Sequence, residues 1–159
     1  MAIDLKQALP ALLPAAIAWA EARAKKAAEV GSALSAAEQE IARQVGVSQP
    51  ARVRVEIVDE LPLPEDPALR AAGLAAGLLG PGMVGLTLGH SIFIRRGKRD
   101  RQQHRRLLSH ELRHVHQYEQ HGSIAAFLRV YLSQIVEVGY VNAPLEADAR
   151  AHEIDSPSL

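Results

Sequence analysis

Apolar positions recur along most of the chain at the spacing of amphipathic helices, and only one stretch alternates strictly between polar and apolar residues. Residues 3–29 are rich in alanine and carry larger apolar residues on one side. This pattern predicts one helix or two, interrupted or bent at Pro10 and Pro14, because proline cannot donate a helical backbone hydrogen bond. Ser35 and Glu38 have the spacing of a capping box, which predicts a second, shorter helix.

The strictly alternating stretch is Arg52–Val58, which predicts a β-strand. Its inward-facing residues are predicted to be Val53, Val55 and Ile57. Two more short strands are predicted over Val84–Leu88 and Ser91–Arg95, with Gly89 and His90 forming a hairpin turn between them. The sequence therefore predicts a sheet of about three strands.

The other periodic segments predict helices that begin at polar or proline-containing caps. Asp66 suits the cap of a helix over about residues 68–79, and three further helices are predicted over about residues 103–120, 124–138 and 144–153. The helix over 124–138 has an apolar stripe that predicts a buried face. This stripe comprises Phe127, Val130, Tyr131, Ile135 and Val138. A small sheet combined with these helices predicts an α+β fold.

His110, Glu111 and His114 form the pattern His-Glu-x-x-His within the helix predicted over residues 103–120. Residues four apart lie about 40° apart around a helix axis, so both imidazoles can reach one metal ion. Glu111 flanks the same face, where it can hold a metal-bound water without binding the metal. Zinc hydrolysis requires this combination of nitrogen ligands, an open coordination position and a carboxylate.

The surroundings of the motif favour a metal site over a solvated helix face. Leu108, Leu112 and Val115 form an apolar stripe away from the two histidines, so the helix can be buried on one side and present the motif on another. The chain has no cysteine, so zinc must be held by histidine and carboxylate groups. The formal net charge of +0 does not favour nucleic acid as a partner.

A catalytic zinc site normally requires a third protein ligand. His116 points about 160° away from His114 around the helix, and His121 lies roughly 16 Å along the axis from His110. Neither histidine is therefore expected to share the metal. The remaining candidates are the acidic residues of the last predicted helix: Glu146, Asp148 and Glu153.

The chain resembles the gluzincin zinc peptidases, especially the small single-domain, minigluzincin-like bacterial metallopeptidases. The resemblance is carried by the HELRH motif at residues 110–114 and by the PLEADA segment at residues 144–149. It implies a zincin-like fold with Glu111 as the general base. It also implies that Zn²⁺ is bound by His110, His114 and Glu146.

Two details of this site depend on residues outside the motif. Many gluzincins carry an aspartate four residues after the ligand glutamate, where it orients the first histidine, but this chain has Arg150 there. Asp148 or a backbone carbonyl is expected to take over that role. The candidate phenol donors to a developing oxyanion are Tyr118, Tyr131 and Tyr140. Tyr140 is preferred because its loop precedes the Glu146 helix.

Gluzincins also place an edge strand beside the metal, and the substrate adds to it as an antiparallel strand. Residues 84–88 precede the motif helix and can form that strand. An ordinary interior hairpin is an equal alternative for the same residues.

We expect a single zincin-like domain over residues 1–159, with a helical segment at 1–46 and a catalytic core at 52–153. The expected activity is zinc-dependent hydrolysis of a peptide or protein substrate. The alternative is a zinc-stabilised binding or regulatory module with little turnover. Membrane-surface contact through residues 3–29 is less favoured than packing on the domain. Neither a signal peptide nor a transmembrane helix is recognised, so a cytoplasmic location is expected.

Overall fold

The computed structural model describes residues 2–155, in which six α-helices surround a small β-sheet. The elements are, in chain order, α1 (Leu5–Val30), β1 (Ser32–Ala33), α2 (Ala36–Gln44), β2 (Arg54–Val58), α3 (Pro67–Ala75), β3 (Gly85–Leu88), β4 (Ser91–Arg95), α4 (Arg101–His121), α5 (Ile124–Val138) and α6 (Pro144–Ala151). A short 3-10 helix at Pro50–Arg52 precedes β2. The fold is α+β, as expected from the sequence. None of these helices is both long enough and apolar enough to cross a membrane.

α1 is one continuous helix, although Pro10 and Pro14 lie inside it. The side chain of Asp4 caps its first turn by accepting a hydrogen bond from the backbone N–H of Gln7 at 3.1 Å. The helix packs on the sheet, on α3 and on α5. Its buried residues are Ile17, Ala20 and Ala27. The two prolines therefore remove individual backbone hydrogen bonds without dividing the helix.

The sheet has the strand order β1-β2-β4-β3, in which β2 and β4 are parallel and the outer pairs are antiparallel. The sequence predicted about three strands, and the strand it missed is β1, which pairs with Val55 and Arg54. A two-residue strand cannot display an alternating pattern, which explains why the sequence did not reveal it. β3 forms the expected antiparallel hairpin with β4 and lies at the end of the strand order, so it is an edge strand of the sheet.

Two apolar clusters cover the two faces of the sheet. Ile92 and Ile94 of β4 join a cluster with α2 and α4, whereas Phe93 between them joins a cluster with α1 and α5. This division follows from the alternation of side chains along a strand. The sheet therefore fixes α4 against one face and α1 against the other, with the β3 edge between them.

Three residues that the sequence predicted to be buried are exposed: Ile57 by 48%, Val130 by 40% and Val138 by 45%. Ile57 lies beyond Val53, which directly precedes β2, and Val55 of β2, and those two contact the cluster formed with α2 and α4. The inward face of α5 is rotated from the predicted stripe. Its buried residues are Phe127, Leu128 and Ile135. The pattern identified these elements correctly but placed the limits of their buried faces wrongly.

Glu119 fixes the segment between α2 and β2 to α4. Its carboxylate accepts hydrogen bonds from the backbone N–H groups of Ser48 at 2.8 Å and Gln49 at 3.1 Å, and lies 3.0 Å from Nε2 of His90. Burial alone would raise the pKa of Glu119, but these backbone hydrogen bonds and His90 outweigh burial and lower it. The ionised carboxylate therefore stabilises this connection.

We expect Glu119→Gln to lower the free energy of unfolding by about 1.5–3 kcal/mol at neutral pH, because hydrogen bonds to a charged acceptor are lost. Since the pKa of Glu119 is lower in the folded chain, its stabilisation is present above the unfolded value of about 4.3 and is lost as the pH falls. Urea unfolding at several pH values measures both effects. Glu137→Gln, at an exposed ion pair with Lys6, is the control. Equal losses in the two variants would contradict the assignment.

Candidate metal centre

α4 presents the histidine motif because its other side is held in the core. Asp100 and Gln103 form a capping box at its start, and Gly122 ends it with a left-handed φ of 87°. The apolar stripe expected from the sequence is buried. It consists of Leu108, Leu112 and Val115, each at most 1% exposed. Packing of this stripe fixes the rotation of the helix and turns the two motif histidines toward α6.

The structure brings His110, His114 and Glu146 together. Nε2 of His110 lies 3.3 Å from Oε1 of Glu146, and Nε2 of His114 lies 2.9 Å from Oε2 of the same carboxylate. The ligand atoms of the three residues lie within 4.8 Å of one another, and this is the one such group found within residues 2–155. These residues could therefore hold a metal ion.

The electrostatics of the group favour a cation at its centre. Burial alone would raise the pKa of Glu146, but the two imidazoles outweigh it and hold that pKa well below its ordinary value. Burial likewise opposes protonation of His110, yet Glu146 and Glu111 raise its pKa to about 9. Glu146 is 1% exposed, and its Oε1 accepts no hydrogen bond of regular geometry, since its polar neighbour is Nε2 of His110 at 3.3 Å. A buried anionic oxygen with so weak a contact is costly, and a metal ion between the three groups would compensate its charge.

The donor set also fits zinc. Two imidazole nitrogens and one carboxylate oxygen are a common protein ligand set of catalytic zinc sites. The other ring nitrogen of His114 is held in place, since Nδ1 lies 2.8 Å from Oε1 of Gln117. Gln117 in turn donates from Nε2 to the carbonyl oxygen of Leu145 and to Oδ2 of Asp148, both at 2.9 Å. These contacts leave Nε2 of His114 directed at the metal position.

Glu153 holds the other ring nitrogen of His110. Its Oε2 lies 3.3 Å from Nδ1 of His110, and its Oε1 accepts a hydrogen bond from Nε of Arg106 at 2.7 Å. The segment is fixed next to α4 because the backbone N–H of Ile154 donates to Oγ of Ser109 at 2.9 Å. Glu153 therefore lies beside the metal group and contacts the candidate ligand His110, but it is not one of the three candidate ligands itself.

Asp148 does not orient His110, so the expectation that it or a backbone carbonyl would do so is wrong. Its carboxylate instead accepts hydrogen bonds from Nε of Arg113 at 2.8 Å and from Nη2 at 3.2 Å. The Arg113 guanidinium holds the pKa of Asp148 at about 2. Arg113 also donates from Nη1 to the carbonyl oxygen of Val45 at 2.8 Å. Asp148 therefore supports His114 only indirectly, through Gln117.

Glu111 lies beside the metal group but outside it. Its Oε2 accepts a hydrogen bond from the Thr87 hydroxyl at 2.7 Å, and the side chain is 5% exposed. Its other oxygen lies against Gly85, where a Cβ atom would approach to 2.4 Å. The carboxylate is therefore held between α4 and the β3 edge, in a space that only glycine at position 85 leaves open.

The tyrosines occupy different positions around this group. The Tyr131 hydroxyl donates to Oε2 of Glu146 at 2.8 Å, whereas the Tyr118 hydroxyl donates to the carbonyl oxygen of Thr87 at 3.1 Å. Tyr140 lines the same cavity as the metal group, and burial together with nearby Glu146 raises its pKa. The preference for Tyr140 as a phenol donor stays a prediction.

Two further histidines of α4, His116 and His121, lie apart from the metal group, as their helical positions suggested. His116 Nδ1 lies 2.8 Å from the carbonyl oxygen of Gly46, and His121 Nδ1 lies 2.8 Å from that of Gln117. Sequence reasoning did not identify the roles of Glu153 and Gln117. In the sequence, Gln117 is a polar residue three positions after the motif and Glu153 an acidic residue just after α6. Neither position indicates which side chain the residue contacts.

The family model of the eCIS core domain matches residues 80–122. This family is related to the zincin-like metallopeptidases. The matched range contains β3, β4 and α4 with both motif histidines, and it ends before Glu146. Neither the curated proteins nor the solved structures contain a match to the chain. The matched family and the candidate metal group together indicate a zinc-related module of α+β fold.

We expect Zn²⁺ to bind the folded chain preferentially, because the unfolded chain cannot bring together ligands from α4 and α6. At a free Zn²⁺ concentration of 100 times the Kd, binding should add about 2.7 kcal/mol to the free energy of unfolding. Glu146→Gln should lose most of the affinity in calorimetric titration and most of the thermal shift. Glu137→Gln, on the exposed side of α5, is the control. Unchanged affinity in Glu146→Gln would place the ion elsewhere.

Glu153→Gln should weaken Zn²⁺ binding by ~10–100-fold, since partners that orient a ligand histidine typically have effects of this size. Asp155→Asn is a matched control, because Asp155 lies 3.5 Å from the same Arg106 guanidinium. Competition with a chelator measures both affinities. A similar loss in both variants would assign the effect to Arg106 instead of the contact with His110.

Proposed function

We propose that the protein is a zinc-dependent metallopeptidase of the gluzincin type. The observation that carries this proposal is the position of Glu111, whose carboxylate lies beside the metal group while taking no part in it. A structural zinc site is normally closed by protein ligands and needs no such neighbour. A hydrolytic site needs a base next to an open coordination position.

His110, His114 and Glu146 would hold the zinc ion. Zinc supplies Lewis acidity toward the scissile carbonyl and toward a water molecule. Glu111 accepts the proton of the attacking water and then delivers it to the leaving amine. The Thr87 hydroxyl donates a hydrogen bond to Oε2 of Glu111 at 2.7 Å and so orients the carboxylate. The other oxygen, Oε1, is then the one that would accept the proton of the water. The hydroxyl of Tyr140, which lines the same cavity, is proposed to donate to the developing oxyanion.

The substrate is proposed to be an extended peptide that adds to the edge of β3. This strand ends the sheet order, and Gly85 lies directly against Glu111. An edge strand pairs with an incoming peptide through backbone hydrogen bonds, independent of its sequence. On β3 the Thr87 carbonyl would exchange its hydrogen bond from the Tyr118 hydroxyl for one from the peptide. A peptide bound there passes the candidate base and the metal group. Nucleic acid is not proposed as a partner, since the formal net charge is +0.

A zinc-stabilised binding or regulatory module with little turnover is the second candidate. It is favoured by the contact between His110 and Glu153, which at 3.3 Å is longer than the 2.8 Å contact between His114 and Gln117. Looser orientation of one ligand would reduce catalysis more than binding. Turnover of a peptide library by the zinc-loaded protein, with and without a chelator, separates the two candidates.

We expect Glu111→Gln to retain Zn²⁺ and to lose hydrolysis by ~10²–10⁴-fold, the usual effect of removing a general base. Peptide-library cleavage measured together with the metal content tests both parts. Wild-type turnover in this variant would exclude Glu111 as the base. Loss of the metal would instead make Glu111 a ligand.

A second pair of variants tests the position of the Glu111 carboxylate without changing its chemistry. Gly85→Ala places a Cβ atom in the space of Oε1 and should lower turnover by ~10²-fold through misplacement, with zinc retained. Gly82→Ala is the control, because a Cβ atom there has no neighbour within 4 Å. Equal activity of both variants would contradict the proposed position of the base.

A further inference from the structure

The free edge of β3 presents backbone groups that no other strand pairs with. In the β3–β4 hairpin, the backbone N–H of Arg95 donates to the carbonyl oxygen of Val84 at 2.8 Å. Hydrogen-bonded and non-hydrogen-bonded residue pairs alternate along an antiparallel ladder. Gly85 and Thr87 therefore occupy non-hydrogen-bonded pairs and direct their backbone N–H and C=O groups away from β4. An incoming peptide would pair with these groups.

One of these outward-facing groups already has a partner. The Tyr118 hydroxyl donates to the carbonyl oxygen of Thr87 at 3.1 Å. No side-chain contact of this kind is found at the backbone of Gly85 within residues 2–155. The two pairing positions of the β3 edge therefore differ, because a side chain of α4 competes with a peptide for only one of them.

Tyr118 is held at this carbonyl by its surroundings. The residue is 5% exposed, and the centroid of its ring lies 3.8 Å from that of Phe127 on α5. The next residue of α4, Glu119, accepts the backbone hydrogen bonds of Ser48 and Gln49. Tyr118 also lines both the cavity beside the metal group and a second, more polar cleft near the β3–β4 turn. The phenol thus forms a fixed wall between the two spaces.

The direction of β3 defines which part of a substrate Tyr118 affects. Oε1 of Glu111, the oxygen proposed to accept the proton of the water, lies against Gly85. β3 runs from Gly85 past Thr87 toward the hairpin turn, and an antiparallel peptide runs the opposite way. The peptide residue opposite Thr87 therefore precedes the residue opposite Gly85 in the substrate sequence. Tyr118 stands where the amino-terminal side of the substrate would extend.

A peptide residue opposite Thr87 gains little by pairing there. Its N–H can bond to the carbonyl only when the Tyr118 hydroxyl gives up that position, and the displaced hydroxyl is then buried without this partner. One hydrogen bond replaces another, and an unpaired buried donor costs at least as much as a typical hydrogen bond contributes. Pairing opposite Gly85 involves no such exchange.

We propose that Tyr118 is a specificity-determining residue, whose hydroxyl occupies the β3 edge so that substrate residues on the amino-terminal side of the one opposite Gly85 add no affinity; this inference rests on the proposed peptidase function. Recognition then depends on the scissile bond and the residues close to it. A peptide cleaved near its amino terminus is as good a substrate as one with a long preceding segment.

Tyr118→Phe should create a preference for longer peptides, because it removes the competing hydroxyl and leaves the Thr87 carbonyl free. Blocked alanine peptides of two to six residues are titrated calorimetrically into the zinc-loaded Glu111→Gln protein, with and without Tyr118→Phe. Lengthening the peptide should raise the affinity ~3–10-fold more in the protein that carries Tyr118→Phe, the effect of one hydrogen bond. Tyr140→Phe is the matched control, since it removes a phenol hydroxyl from the same cavity without affecting Thr87. Equal length dependence in the two phenylalanine variants would overturn the proposal.

A second measurement covers failure of Tyr118→Phe to fold. A peptide that the wild-type protein cleaves defines the register, and its amide groups on the amino-terminal side are replaced one at a time by esters, which removes one N–H each. Binding to the zinc-loaded Glu111→Gln protein should fall ~3–10-fold for the ester opposite Gly85 and stay unchanged for the ester two residues earlier. In Tyr118→Phe both esters should weaken binding. Equal losses at both positions while Tyr118 is present would contradict the proposal.

Hydrolysis separates this inference from the proposed function. Cleavage of peptides with the same length dependence of kcat/KM in the wild-type protein and in Tyr118→Phe would overturn the role of Tyr118 and leave the peptidase assignment intact. A new length preference in the binding of alanine peptides to Tyr118→Phe, with no hydrolysis of any peptide by the wild-type protein, would overturn the peptidase assignment and leave Tyr118 as the residue that occupies the edge.

Discussion

The placement of one buried carboxylate, that of Glu146, between two imidazoles is the constraint on which the rest of the site depends. An ionised group at 1% exposure is tolerated only when neighbouring charges and donors compensate its lost hydration. His110 and His114 face its two oxygens at 3.3 and 2.9 Å, and the Tyr131 hydroxyl adds a hydrogen bond at 2.8 Å. α4, α5 and α6 must therefore keep a fixed relation to one another.

Two arginines of α4 maintain that relation from the outer side of the site. Arg106 binds Glu153, which contacts His110, while Arg113 binds Asp148, which connects through Gln117 to His114. Each ligand histidine is thus linked to a guanidinium through an acidic side chain. The strongly charged sequence around the motif consequently orients the ligands, and is more than a solvated helix face.

The sequence predicted the helices and strands well wherever it contained a periodic apolar pattern, a helix-capping residue or a turn. Examples are the helix that begins after Ser35 and the β3–β4 hairpin. The two-residue strand β1 and the exposure of Ile57 followed from tertiary pairing and could not be read from local pattern. The same limit applies to the site. The spacing of His110 and His114 reveals a shared helix face, but the partner of each outer ring nitrogen comes from a distant segment. Glu153 is held near His110 by Arg106 and by the hydrogen bond from the backbone N–H of Ile154 to Ser109, and neither contact has a local sequence signature.

The apolar surroundings of the metal group strengthen its electrostatics. The pocket that reaches His110, Glu111 and Glu146 is lined mainly by apolar residues of α1, α3, α5 and β3. Charges interact more strongly where water is excluded, so these walls raise the effect of Glu146 and Glu111 on a bound cation. The polar group and the apolar walls around it therefore depend on the same packing of α1 and α5 against each other and of α1 against the sheet.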